Sequence, residues 1–586
     1  MAREVTFPRT RHLALSGLEQ PGEAKATGSE AILVPIRVAA QATPPAGVPL
    51  PAPVEPGAPG VPEKGALPAA APIPALEAGT EPPAPQVREL AWVVAVDIAE
   101  PAGESDRCLG IDGAPAPVRC ASSLEGRDHA GTLAANAALC GEAVLLEGLD
   151  RWYRLRPDAA GYCRSCELAL IESLRESYGD HFDAFDALEA LRTSSLPPRE
   201  RPFARLKEGL WLAESLEAGK RAILRARDEA RRKRSVEVAV LGRVGTLTPL
   251  ALALCAHLDG LLFDLPSLDP YAALLPLLAA REALGLRPGV AVLPEDAVPA
   301  QVQLFAALAT ACDVDLMVAK GASSEARATL TRHRQFLSLV RERYRPSAPL
   351  FDAEVLYSAR CDHWTGGAHQ RAATAATAAL VRGQLQPSVR LDLAGGVRAR
   401  LLVLAGASAL PPADAAAARR YAEGGGDVLL LGKCAPIDEE GRVGDPIFPE
   451  AKSGLERVGE GRVFALDEGA QEQAVTRALR ELAGRRAQVA LTGRGRLLAR
   501  AYLDPERKLD VHFVNLDLQD SGFVPAQGVQ VTIAGQAAGG GRAAYWFAPE
   551  REGGKDGERI TLNPSGFSVS TILPSVSAYA LLAVPR

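Results

Sequence analysis

At 586 residues the chain is too long for one core, and 47% hydrophobic with 23% charged residues marks it as globular. Lys and Arg total 65 against 71 Asp and Glu, and this net charge of −6 gives no global attraction to nucleic acid or to an anionic membrane. The opening residues lack the apolar run of a signal peptide, and no stretch reaches the ~18 apolar residues of a membrane span. Nine cysteines, an odd number spread through a large chain, do not form a secreted disulfide framework. The reading is a cytoplasmic protein with reduced thiols, expected to bind neither membrane nor nucleic acid.

In chain order, short apolar runs at His12–Ser16, Ala31–Val38, Ala91–Ile98, Ala143–Leu149, Val236–Leu241, Gly260–Asp264, Gly289–Leu293 and Val314–Ala319 read as buried strands. From the third onward helix-like stretches separate most of them, which predicts βα units and a (β/α)8-type barrel. No helix separates the first three, so the barrel is expected to be irregular at its start or incomplete. Fourteen of the 45 prolines fall between Pro44 and Pro85, which predicts a Pro/Ala-rich disordered insertion over 40–88. The barrel then comprises 1–39 and 89–348, with a helical excursion over 167–235. The basic end of that excursion, Arg225–Arg234, reads as a solvated helix face rather than a phosphate-binding surface.

Strands at Ala353–Ser358, Arg400–Gly406 and Gly426–Gly432, with helices at Gln370–Gly383 and Ala413–Glu423, predict a flavodoxin-like α/β domain over 349–490. Alternation and turns from Leu497 predict a C-terminal antiparallel β-sandwich over 491–586. The pair Cys163-x-x-Cys166 has the spacing of half a zinc knuckle; packed, reduced thiols are the plainer reading.

Three segments in order carry a family resemblance: Arg119-Cys120-Ala121-Ser122-Ser123, then Glu147-Gly148-Leu149-Asp150-Arg151-Trp152, then Gly161-Tyr162-Cys163-Arg164-Ser165-Cys166 running into Tyr178-Gly179-Asp180. This order resembles the family 42 glycoside hydrolases (β-galactosidases) and related glycosidases that add a glutamine-amidotransferase-like domain and a sandwich to their barrel. Asp362-His363-Trp364 through His369 is similar to the start of that family's trimerisation domain. The resemblance implies a carbohydrate partner, a homo-oligomer and a structural zinc held by Cys120, Cys163 and Cys166. Gly161 occupies the fourth ligand's place, and Cys108 or His181 can substitute.

Carried over by position, the resemblance makes Glu147 the general acid/base and Glu295 the nucleophile, with Asp97, Trp152 and Asp264 lining the same mouth. Glycoside hydrolysis needs two such carboxyl groups, and a barrel presents them from the carboxyl ends of different strands. The chain departs from the pattern in four places, one being Ser177 where the family has an Arg before Tyr-Gly. Leu146 replaces the Asn before the acid/base, Gly161 replaces a cysteine, and Val318-Ala319-Lys320-Gly321 ends the eighth strand without an aromatic.

Two readings follow. One is a retaining hydrolase of a β-linked oligo- or polysaccharide. The other, favoured by these departures, is a catalytically degenerate relative that binds carbohydrate or serves as a scaffold. In the second domain Ser408 is a candidate nucleophile, with a structural turn serine as the plainer reading. Asp362, His363 and His369 read as a polar site or as a domain or subunit contact.

Overall fold

The computed structural model describes residues 31–37 and 87–585 apart from internal stretches, the longest being 152–160, 179–201 and 341–347. Trp152, His181, the candidate strand His12–Ser16 and nearly all of the predicted insertion lie outside the described residues. Val87 and Arg88, assigned to that insertion by sequence, instead open a strand.

The first sheet has seven strands in one linear order. They are β1 (Ala31–Arg37), β2 (Val87–Asp97), β3 (Ala143–Glu147), β4 (Ala239–Thr246), β5 (Gly260–Asp264), β6 (Gly289–Leu293) and β7 (Asp315–Val318). From β2 to β7 every pairing is parallel. β1 pairs antiparallel with β2, and among the described residues nothing joins β7 to β1. The closed eight-stranded barrel expected from sequence is therefore not what these residues show. A parallel neighbour of β2 on this side would require a crossover connection, which the antiparallel pairing of β1 does not need.

β4 also lies later than predicted, because Gly242 and Arg243 interrupt its apolar run. Gly242 lets Leu258 and Leu149 close over the strand: a Cβ would stand 2.6 and 3.0 Å from their terminal methyls, which would have to move.

Period-two alternation divides this sheet. Ala95, Leu145, Leu241, Leu262, Val290, Val292 and Met317 pack together on one face. Val96, Leu146, Val240, Phe263 and Leu293 face the helical layer on the other. That layer comprises α1 (Leu124–Cys140), α2 (Arg164–Tyr178), α3 (Pro202–Lys233), α4 (Pro249–Cys255), α5 (Pro270–Leu284), α6 (Pro299–Ala311) and α7 (Ser324–Val340). The basic end of α3 is internally neutralised: Arg225 pairs with Asp128 at 3.0 Å and Arg231 with Asp259 at 2.8 Å.

The second sheet runs β9-β8-β10-β11-β13-β12, with β8 Ala353–Leu356, β9 Pro387–Arg390, β10 Leu401–Ala405, β11 Asp427–Leu431, β12 Gly454–Val458 and β13 Gly461–Leu466. All its pairings are parallel except β12 on β13. Its helices are α8 (Ala359–Trp364), α9 (Ala368–Arg382), α10 (Pro412–Glu423) and α11 (Glu472–Ala483).

Six-stranded and four-stranded antiparallel sheets follow, enclosing a core that includes Val511, Phe513, Trp546 and Leu582. Ala348–Leu350 adds an edge strand to the six-stranded sheet by pairing with Leu497–Leu503 before the chain enters the second sheet. The parts are bound by polar contacts. Arg390 and Arg398 reach Glu282 of α5 at 3.2 and 3.0 Å, and the Tyr502 hydroxyl donates to Ala311 O at 2.7 Å. Among the described residues no helix is long and apolar enough to cross a membrane.

Candidate functional site

The inner face of the first sheet is apolar until the strands reach their carboxyl ends. Two residues beyond Ala95, Leu145, Leu241 and Leu262, the same face carries Asp97, Glu147, Arg243 and Asp264. Register aligns them. Asp97 is level with Glu147, and Arg243 stands one step beyond the Leu146–Gly242 pair. The Arg243 guanidinium donates to Glu147 Oε1 at 3.1 Å and to Asp264 Oδ1 at 3.3 Å. The three side chains are 10%, 14% and 29% exposed in the order Arg243, Glu147, Asp264. The cluster thus sits at the water boundary with carboxylate oxygens to spare.

Asp97 pairs with Arg151 at 2.6 Å, and its Oδ1 accepts the amides of Ala99 and Glu100. Gly148 closes against it with φ +78°; a Cβ there would lie 2.3 Å from Asp97 Oδ1. Burial pushes the Glu147 carboxyl above its ordinary range, with Arg243 pulling the other way; burial likewise raises Asp97 against Arg151.

Sequence reasoning placed Asp97, Glu147 and Asp264 at one mouth, and the structure brings all three together. It missed Arg243. The available signal was a charge in the apolar run Val240-Leu241-Gly242-Arg243-Val244, in phase with Leu241.

Glu295 is placed differently. Strand phase carries Val290 and Val292 on to Pro294, and Glu295 is exposed beyond the strand. Its carboxylate lies over Gly321, where a Cβ would come within 2.1 Å of Oε2. Among the described residues it makes no ion pair or hydrogen bond with the Arg243 cluster.

The second constellation is a cysteine centre. A hairpin, Arg107–Leu109 with Pro115–Arg119, supplies Cys108 and, just past its end, Cys120; the start of α2 supplies Cys163 and Cys166. The amide of Tyr162 donates to Leu109 O at 2.9 Å, which holds the helix start against the hairpin. All four sulfurs lie within 4.8 Å of one another. The separations are 3.3 Å for Cys120–Cys163, 3.5 Å for Cys120–Cys166, 3.6 Å for Cys163–Cys166 and 4.0 Å for Cys108–Cys166.

Tetrahedral thiolates about 2.3 Å from one zinc ion stand about 3.8 Å apart, so the four residues fit a single metal ion such as zinc. Cys108, one of two substitutes considered for the fourth ligand, is the one that completes the set. Hydrogen bonding from Cys108 and Cys120 holds the half-buried Cys163 thiol well below the usual range. The centre adjoins the carboxylates: Arg119, 2% exposed, donates its amide to Ala99 O and its guanidinium to Ile98 O, beside Asp97.

At the carboxyl ends of β8 and β10, His369 is fully buried. Its Nδ1–H donates to Ala405 O at 2.8 Å and its Nε2 accepts the Ser358 amide at 2.9 Å. Burial pushes its pKa down to about 4. Tyr357 stacks on the imidazole and donates its hydroxyl to Leu247 O, just past the end of β4. Both ring nitrogens are therefore committed to backbone, and His369 has no nitrogen left to activate Ser408, which sits half-buried in the turn after β10. Asp362 is buried nearby, its carboxyl raised by burial to about 6.

No family model matches the chain, and no curated protein matches it. Solved structures do. A catalytic mutant of Gan42B, a GH42 β-galactosidase from G. stearothermophilus, aligns with TM-score 0.58 at 12% identity, covering 84% of this chain and 88% of that one. The β-galactosidase from Bacillus circulans sp. alkalophilus gives 0.57 at 13% identity over 84% and 88%. Alpha-L-fucosidase isoenzyme 2 from Paenibacillus thiaminolyticus gives 0.55 at 12% over 84% and 87%. The chain shares its fold with family 42 β-galactosidases. Identities this low carry the fold and leave the chemistry to the site.

Proposed function

We propose that this chain is a carbohydrate-binding member of the glycosidase fold in which the two-carboxylate machinery is degenerate. Bridging of Glu147 and Asp264 by Arg243 carries this reading. A general acid must hold its proton near neutral pH, and a guanidinium 3.1 Å away favours the ionised form. Glu295, the carried-over nucleophile, stands outside the bridged set. What the cluster retains is a row of planar donors and acceptors at the water boundary, suited to sugar hydroxyls.

The hydrolase reading keeps one observation in its favour, the upward pull of burial on Glu147. In that reading Glu147 protonates the leaving oxygen and Glu295 attacks the anomeric carbon, with carboxyls roughly 5–5.5 Å apart. A panel of aryl β-glycosides separates the two. Hydrolysis that disappears in both Glu147→Gln and Glu295→Gln would establish the hydrolase; turnover at the buffer rate together with calorimetric binding of neutral saccharides supports the degenerate binder.

The same proposal assigns Cys108, Cys120, Cys163 and Cys166 a structural zinc, which would tie the hairpin to α2 and so hold Arg119 against the Asp97 loop. Metal analysis is expected to find close to one zinc per chain, and a Cys120→Ser chain without it. Assembly as a homo-oligomer belongs to the proposal as well and is read by light scattering.

A further inference from the structure

A cavity of 770 Å³ opens not on the inner face of the first sheet but over its lip, between α5, α9 and α11. It exists because α9 presents methyl groups there: Ala372, Ala375 and Ala379 form its floor, with Pro276 and Val475 as walls. Tyr271 lines it, with Arg382 stacked 4.4 Å from the ring centroid and paired to Glu472 at 2.9 Å. Its size and mainly apolar lining with few polar groups are those of a small-molecule site.

Two features say what fits. First, the cavity lies beyond the same strand end that carries Arg243, although no cluster side chain lines it. Thr246 lines the cavity and pairs in register with Asp264, and a β-bulge between Val244 and Thr246 turns the strand there. A ligand held at Arg243 and Asp264 can continue over the lip only if it is extended. Second, the charges of the lining nearly cancel. Arg371 and Arg382 face Asp269, Asp467 and Glu472, and the Arg382–Glu472 pair neutralises itself. Such a rim offers hydrogen-bonding groups of both kinds and no net attraction for a polyanion.

We infer that this cavity is a distal subsite for a neutral, extended oligosaccharide whose near end occupies the Glu147–Arg243–Asp264 cluster. The inference rests on the carbohydrate-binding reading and names its ligand: a chain of several uncharged sugars, with C–H faces on the alanine floor and Tyr271 and hydroxyls at the rim.

Titration calorimetry on the full chain tests it with three probes: a methyl β-hexoside, a neutral β-linked tetrasaccharide of the same sugar, and a uronic-acid tetrasaccharide. The neutral tetrasaccharide is expected to bind at least about tenfold tighter than the monosaccharide. Ala375→Trp, on the exposed side of α9, fills the groove and is expected to reduce the tetrasaccharide to the monosaccharide's affinity; Tyr271→Ala is expected to remove part of the gain. Equal affinity for short and long ligands, survival of the gain in Ala375→Trp, or preference for the acidic tetrasaccharide would overturn the subsite and leave the carbohydrate reading standing. Absence of binding by all three probes would overturn both.

Discussion

Both parallel sheets end their strands in polar side chains, and the two ends are built on opposite principles. In the first sheet Glu147, Arg243 and Asp264 bond to one another, Asp97 pairs with Arg151, and all remain partly exposed. In the second, His369 bonds only to backbone and is sealed. A side chain whose hydrogen-bonding capacity is consumed by the main chain stitches strands together. Partly exposed side chains paired with one another keep capacity for a ligand. The open end is thus the candidate site and the sealed end is structure, although the strand order of the second sheet reverses at β8 and β10, where such folds often bind ligands.

The largest test of this contrast is acid. His369 and His333 titrate near 4 and His512 near 3, all pushed down by burial from an unfolded value of about 6.5. As pH falls from about 6.5 towards 4 the unfolded chain takes up protons that the native chain refuses, so stability falls across that window. Each histidine contributes at most about 1.4 kcal/mol per pH unit, and the carboxyls that burial raises, Asp362 at about 6 with Glu147 and Asp97, take up protons in the native chain and offset part of that decline. Urea unfolding followed from pH 7 to pH 5 is expected to show that decline. A pH profile left unchanged by His369→Gln would mean that the sealed end does not hold a neutral imidazole.

A smaller effect is expected at the open end. Arg243→Met leaves Glu147 and Asp264 side by side without their shared cation, and should destabilise the chain by about 3 kcal/mol at pH 7. Because the Glu147 carboxyl, already raised by burial, then loses the downward pull of Arg243, the loss should shrink as pH falls. A loss of under about 0.5 kcal/mol would show that the cluster is solvated and unpaired in solution.

The smallest effect sharpens the comparison by its absence. Glu295→Gln removes a charge from an exposed residue that the cluster does not hold, and should change stability by no more than about 0.5 kcal/mol. A shift of several kcal/mol would place Glu295 inside the network after all.

The parts legible in the sequence were those with a local signature. Apolar runs of four to eight residues gave most strands of the first sheet, and the family resemblance, carried onto the ends of those runs, put Asp97, Glu147 and Asp264 at one mouth together with Glu295, which the structure keeps apart. The ordered cysteines narrowed the metal centre to three ligands and two candidates for the fourth. His369 and Asp362 were visible as polar residues at a turn, and their burial was not.

By itself, then, the sequence determined the alternation of strand and helix and the switch to antiparallel sheets near the C-terminus. Each follows from period, spacing and the cost of burying charge, which act over a few residues. Only the tertiary structure decided that β1 turns back antiparallel, that Cys108 closes the thiol set, that Arg243 lies between Glu147 and Asp264, and that His369 is consumed by Ser358 and Ala405. Those outcomes depend on register between strands as far as 96 residues apart, as for Glu147 and Arg243, and on packing between sheets. A local pattern says which face a side chain takes; it does not say which partner waits there.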